Sequence, residues 1–326
     1  MPISTTRQLS TRASTRDSTR HSTQPSGSLL VAIHGIDEGE IVLDKAHRIA
    51  RGLGIPMHVL QVVYDAFADL SIHEIELSER LRQTVLRASE ADLLDLLAPL
   101  HSIAPVTVTS AVVWHKQDWQ AILDSADKCA AKLIIKSVGR RSNVEKVLGR
   151  PPADWHLLRQ SKCPVLFLTP ANWQHGPVIL AAIDVNHEQQ QALNTQILQQ
   201  AAQLAGMLQG NLHVVGAFPS VERWLGPITV AIDFERVRQN VESQTRRKIQ
   251  ALLDELEISA AEIHAIQGEA ARVIDALGRK LDSRILVMGT VQKHGSATIL
   301  LGNTSEQMFY RVRSDVLVVV AREGTV

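Results

Sequence analysis

The sequence predicts an α/β protein made of two tandem doubly wound units, each with a mainly parallel sheet covered by helices. Three observations carry that prediction. From residue 29 to residue 320, short apolar runs alternate with segments of amphipathic helical spacing, the pattern of strands joined by helical crossovers. The same series of elements occurs twice, in halves of domain size. In both halves the fourth apolar run gives way to a glycine-bearing loop before the last helical segment and final strand.

In the first half, residues 29–33 read as a buried strand, followed by a helix over 38–53 and a strand over 57–63. A long helix then carries apolar residues at Ile75, Leu81, Val85, Leu93 and Leu96. Strand 106–113, helix 119–131, strand 133–135, a helix around 155–159 and strand 165–168 complete the unit. The second half gives strand 178–183, helix 191–208 and strand 212–217. Its next helix shows one apolar stripe through Phe234, Val237, Val241, Ile249, Leu252, Leu253 and Leu256. Strand 263–266, helix 270–281, strand 285–288, a glycine loop, a last helix and strand 316–320 follow. The domains are therefore expected at 29–169 and 178–326, with 170–177 as linker.

Residues 1–28 differ from the rest. Ser-Thr-Arg recurs at 10–12, 14–16 and 18–20 with almost no apolar residue, so this tail is expected to be disordered. Its composition resembles a transit peptide, without the amphipathic stripe of one.

Composition narrows the function classes. Lysine plus arginine and aspartate plus glutamate number 34 each, so no basic field recruits nucleic acid or an anionic membrane. No apolar run is long enough to span a bilayer, and none near the start reads as a signal peptide. Cys129 and Cys163 are too few for a disulfide framework, which points to a reducing, cytoplasmic compartment and to packing roles. The 13 histidines show no His-x-x-x-His spacing with a third partner, so no metal site is expected.

The candidate site lies in the second half. The apolar run 285–288 stops at Gly289, a polar loop follows, and Gly302-Asn303-Thr304 opens a helical segment. Free backbone N–H groups and the positive end of a helix dipole suit an anion there, most often a phosphate. A plainer reading makes Asn303 a helix cap with Glu306 completing a capping box. In doubly wound sheets ligands bind beyond the carboxyl ends of the strands, where strand order reverses. That edge should gather Asp184, Ala217, Gly268 and Gly289 beside Gly302, a carboxylate and a set of amides suited to the two ends of a nucleotide. Asp184-Val185-Asn186 also suits a simple turn.

The repeat order, the aspartate ending Val178-Ile-Leu-Ala-Ala-Ile-Asp184, the segment Gln267-Gly-Glu-Ala-Ala-Arg-Val-Ile274, and Val287-Met-Gly289 through Gly302-Asn-Thr304 resemble the universal stress protein family. Over residues 29–320 the chain looks like its tandem-domain members. The resemblance implies a Rossmann-like, adenine nucleotide alpha hydrolase-like fold, a bound ATP or AMP with magnesium accompanying ATP, and a part in the stress response without a defined metabolic reaction.

The phosphate loop of the family's nucleotide-binding branch reads Gly, two residues, Gly, nine residues, Gly, then Ser or Thr. Gly289 and Gly302 match the outer glycines, but Gln292 holds the middle place and Asn303 precedes Thr304 at the last. Gln292 enters positive φ less freely than glycine, so the loop turns instead about Gly295 or binds more weakly. Asp184 matches the family's adenine-side aspartate. The implied nucleotide-binding set is Asp184, Ala217, Gly289, Thr290, Gly295, Gly302, Asn303 and Thr304.

The first unit departs further. His34 stands at the place of Asp184 and Lys136 at that of Gly289, while Gly139 and Gly149 are kept. Gly149 is followed by Arg150-Pro151-Pro152, and proline has no N–H to give a phosphate, so this site is expected to be degenerate. No Ser-His-Asp order, Walker lysine motif or paired carboxylates mark a catalytic centre. Two other readings stay open: an interaction protein whose strands 165–168 and 316–320 pack the units as a pseudo-dimer, with a homodimer beyond that, or a slow ATP hydrolase.

Overall fold

The computed structural model describes residues 4–7, 27–33, 39–66, 75–102, 106–138, 153–173, 175–220, 233–290 and 314–320. The chain forms two compact units, Met1–Cys163 with Leu168–Ala171 and Pro164–Phe167 with Asn172–Val326.

In the first unit β1 (Ser4–Arg7) precedes β2 (Ser28–Ile33), α1 (Gly39–Leu53), β3 (Met57–Val63) and α2 (Ile75–Leu97). Then come β4 (Val108–Trp114), α3 (Asp118–Lys128), β5 (Ala131–Ser137) and α4 (Ala153–Gln160). The strands lie in the order β1-β4-β3-β2-β5. All these pairs are parallel except β1 with β4. Every residue of β2 is buried, as expected for a parallel strand covered on both faces. α1 turns Val42, Leu43, Ala46, Ile49 and Ala50 inward, one stripe at helical spacing.

Ser4–Arg7 lies in the segment expected to be disordered, yet it pairs antiparallel with β4, Ser4 opposite Val113 and Arg7 opposite Ser110. The physical reason is the partner. Without β1, β4 would be the edge of this sheet, and an edge offers unpaired backbone groups that accept a strand whatever its side chains. Residues 8–26 lie outside the described residues.

The second unit holds β6 (Val165–Leu168) through residues 164–167, then β7 (Val178–Ile183), α5 (Gln191–Leu208) and β8 (Asn211–Phe218). α6 (Phe234–Glu255), β9 (Glu262–Gln267), α7 (Ala270–Lys280), β10 (Ile285–Gly289) and β11 (Asp315–Val319) follow. The strand order is β6-β11-β10-β7-β8-β9, with β6 antiparallel to β11 and every other pair parallel. From β7 the chain steps outward through β8 to β9, then returns to β10 on the other side of β7. Strand order therefore reverses between β7 and β10. Within the stretch read as linker, Trp173 is buried and its indole N–H donates to Asp315 Oδ2 at 2.6 Å, which fastens that segment to β11.

Two predicted stripes are buried only in part. Leu81 of α2 and Phe234 of α6 are each 39% exposed, whereas Leu93, Ile249, Leu252 and Leu253 are buried. Length explains this. α2 has 23 residues and α6 has 22, about 33 Å or more at 1.5 Å per residue. The strands beneath them have 7 or 8 residues, about 23–27 Å at 3.3 Å each. The helices are thus longer than the strands beneath them, α2 by about two turns and α6 by about one, and overhang the carboxyl end of the sheet. Asp233 caps the overhanging end of α6 by accepting the Arg236 N–H at 3.0 Å, so that end is held by hydrogen bonding where packing is thin.

Ile249 is fully buried, so Ile249→Ala should cost about 2–5 kcal/mol, while Phe234→Ala at the overhang should cost less than about 1 kcal/mol. Urea unfolding of the two variants beside the wild type measures the contrast.

Candidate functional site

Beyond the carboxyl ends of β7 and β10, where strand order reverses, the second unit has a cavity of about 150 Å³. Ile183, Asp184, Val215, Ala217, Met288 and Gly289 reach it from the strand tips. Leu193, Asn194 and Ile197 of α5 and Ala270 and Ile274 of α7 close it from the helices. Among the described residues the walls are mostly apolar, with Asp184, Gln190 and Asn194 as the side-chain polar groups. The first turns of α5 and α7 border the cavity, and the positive ends of their dipoles favour negative charge there.

The strand tip is fixed from behind. Asn194 is 3% exposed; its Oδ1 accepts the Asp184 N–H at 3.1 Å and its Nδ2 donates to the Asp184 carbonyl at 2.7 Å. The Asp184 carboxylate accepts the Asn186 N–H at 3.0 Å and the His187 Nδ1 hydrogen at 2.7 Å. Asn186 Nδ2 in turn donates to the Ala217 carbonyl at 3.0 Å, joining the tips of β7 and β8. Asp184 thus makes the turn that Asp-Val-Asn suits. A carboxylate has about four acceptor positions, however, and these two local contacts leave capacity for further donors at a side chain that is 48% exposed.

Gly289 has a packing role of its own. A Cβ there would lie 2.6 Å from Leu193 Cδ2, so the glycine lets α5 close over the end of β10. Thr290 does not line the cavity: its side chain is fully buried, and its N–H donates to the Val319 carbonyl at 3.0 Å. That amide is already committed, and its hydroxyl finds no hydrogen-bond partner among the described residues. Gly268, at φ +147°, borders a separate groove along β9 and α7. Gly295, Gly302, Asn303 and Thr304, with Gln292 and Glu306, lie outside the described residues.

In the first unit the place matching Gly289 is filled by a cation already paired. Lys136 Nζ lies 2.6 Å from Asp154 Oδ1 and 3.0 Å from Asp118 Oδ2, with its side chain only 12% exposed. Burial opposes the ammonium, but Asp154 and Asp118 outweigh that and hold its pKa above the ordinary lysine value. Both aspartates sit in the first turn of a helix, α3 or α4, where the dipole favours a carboxylate. Lys136 is therefore spent on internal anions. His34, Gly139 and Gly149 lie outside the described residues.

The profile of the universal stress protein family matches residues 26–168 and again residues 177–320. The chain belongs to the universal stress protein family, as a tandem member. Universal stress protein E of Escherichia coli strain K12 is 27% identical over 301 residues, 90% of this chain and 93% of that protein. A functionally unknown protein from Pseudomonas aeruginosa PAO1 has a crystal structure similar at TM-score 0.68, with 26% identity over 91% of this chain and 93% of its own. A putative universal stress protein from Pseudomonas aeruginosa UCBPP-PA14 matches at TM-score 0.67 and 27% identity, over 91% and 94% of the two chains.

For a universal stress protein domain, the residue most easily missed in the sequence is Asn194. Its signal was present: it falls on the buried face of α5 with Leu193, Ile197, Leu198 and Ala201. A polar residue inside an apolar stripe asks what it bonds to, and here the answer is the strand tip carrying Asp184.

The Lys136 cluster gives a quantitative test. Lys136→Met leaves two carboxylates facing one another and should cost about 3 kcal/mol at pH 7. A Lys136→Met, Asp118→Asn, Asp154→Asn triple variant should recover much of that loss. The raised pKa belongs to the folded state, so the contribution of Lys136 is complete below the unfolded value near 10.5 and is lost as pH rises through the higher folded value. Denaturation midpoints should show a gap between wild type and Lys136→Met that is flat from neutral to mildly alkaline pH and narrows only above that window.

Proposed function

We propose that the second unit binds an adenine nucleotide, ATP or AMP, and that the tandem protein acts as a nucleotide-responsive module in the stress response without a metabolic reaction of its own. The observation that carries this reading is the crevice at the reversal of strand order, apolar on its walls with a half-exposed carboxylate at its mouth. Ligands of doubly wound sheets bind at such a point. At about 150 Å³ the cavity is half the size of small ligand sites, which suits a planar base inserted between the helices with sugar and phosphates outside. Asp184 would accept the exocyclic amine of adenine with the acceptor capacity left over from its turn. Ala217 and Gly289 are small where the base must enter. Gly295, Gly302, Asn303 and Thr304, with the backbone beside Thr290, would take the phosphates.

Magnesium would arrive on the phosphates of ATP. Asp184 is the one carboxylate among the described residues lining the crevice, too few for a dedicated protein cage. The first unit, with Lys136 paired internally, is proposed to leave its equivalent site empty. Cys129 and Cys163 form no disulfide, which supports a reducing, cytoplasmic setting, and among the described residues no helix is long and apolar enough to cross a membrane.

A ligand that binds only the native state must raise its melting temperature. AMP and ATP should do so for the wild type. Asp184→Ala, which removes the acceptor, and Ala217→Phe, which fills the cavity, should each weaken binding at least tenfold in calorimetric titration. No shift with either nucleotide at millimolar concentration would favour the interaction-protein reading, and magnesium-dependent multiple turnover of ATP would favour the hydrolase.

A further inference from the structure

β8 and β9 are parallel neighbours with His213 opposite Glu262 and Val215 opposite His264. Residues paired across a sheet share a face, as do residues two apart along a strand, so His213, Glu262 and His264 form one cross-strand cluster. His213 Nδ1 lies 3.0 Å from His264 Nε2, and Glu262 Oε2 lies 3.7 Å from the same nitrogen. All three ligand atoms fall within 4.8 Å of one another. The imidazole rings stack with centroids 5.3 Å apart and planes 15° from parallel.

We propose that His213, His264 and Glu262 bind a divalent transition-metal ion of the zinc type at the amino-terminal ends of β8 and β9, at the opposite end of the strands from the Asp184 crevice. The donor set is two imidazole nitrogens and one carboxylate oxygen, which suits zinc and related borderline ions. Zinc binds such atoms at about 2.0–2.2 Å, so a tetrahedral site sets its ligands about 3.3 Å apart. The observed separations of 3.0 and 3.7 Å bracket that value and the third lies within 4.8 Å, so side-chain movement of about an ångström would close the site. His264 has a side chain 11% exposed and borders an open groove of about 730 Å³ along β9 and α7, which gives the ion an entry path and leaves a fourth position for water. Burial disfavours positive charge at His264, as do His213, Arg246 and Lys280, and the Glu262 carboxylate opposes them. The site is independent of nucleotide binding in the second unit.

The test uses the full chain stripped of metal by a chelator and then titrated with Zn²⁺ by calorimetry, and with Co²⁺ by visible absorption. One Zn²⁺ per chain, a rise in melting temperature and intense tetrahedral-type Co²⁺ bands are expected. A His213→Gln, His264→Gln double variant should lose the binding and the bands while keeping the wild-type far-ultraviolet dichroism. Glu262, at 59% exposed, can be exchanged with little risk to folding, and Glu262→Gln should weaken Zn²⁺ binding at least tenfold. Binding that persists unchanged in the double variant would arise from other histidines and would overturn the proposal. Unchanged affinity in Glu262→Gln, or no Zn²⁺ bound by the wild type, would overturn it equally.

Discussion

The second unit depends on one constraint: parallel strands must be connected by crossovers that cover the sheet, and these can leave a central strand in two directions. β7 is that central strand, and the chain goes one way to β8 and returns the other way to β10. The covering helices part at the strand tips, and the gap they leave is the cavity beside Asp184 and Gly289. Two local devices shape the gap. Asn194 clamps the end of β7 to α5, and the missing side chain of Gly289 lets Leu193 of the same helix press against the end of β10. A single helix thus fixes both sides of the crevice.

The halves solve the same geometric problem with different chemistry. At the end of β10 the second unit places a glycine, whereas near the end of β5 the first places a lysine held between the leading turns of two helices. The stacking of Trp119 on His156, centroids 5.2 Å apart, ties those same helices together. In the first unit the leading turns of α3 and α4 are therefore joined through side chains, whereas in the second the end of β10 carries no charge and packs directly against Leu193 of α5. The difference follows from a few residues on one scaffold.

Much of this was legible in the sequence, and the parts that were not share a cause. Strand and helix order could be read because fully buried strands such as β2 and β11 are apolar runs after their first residue and helices such as α1 carry a single stripe. Periodicity reports which side of a helix is apolar, but it cannot report where the sheet beneath ends, so the exposure of Phe234 and Leu81 was invisible. It also cannot see backbone pairing indifferent to side chains, which is how Ser4–Arg7 finds β4. At the site, the aspartate and glycine were found by position in the repeat, while the commitment of the Thr290 amide to Val319 depends on a strand partner distant in sequence. The histidine pair escaped for the same reason. A search for local ligand spacing has no access to His213 and His264, which are brought together only by strand register.

The buried ammonium of the first unit makes three charges interdependent. Exchanging Lys136 alone strands two acids in a poorly hydrated place, and exchanging either acid alone leaves the remaining partners out of balance. Two halves that match the same family profile therefore differ in how freely the end of that strand can be altered, because in the first unit the charges must be exchanged together.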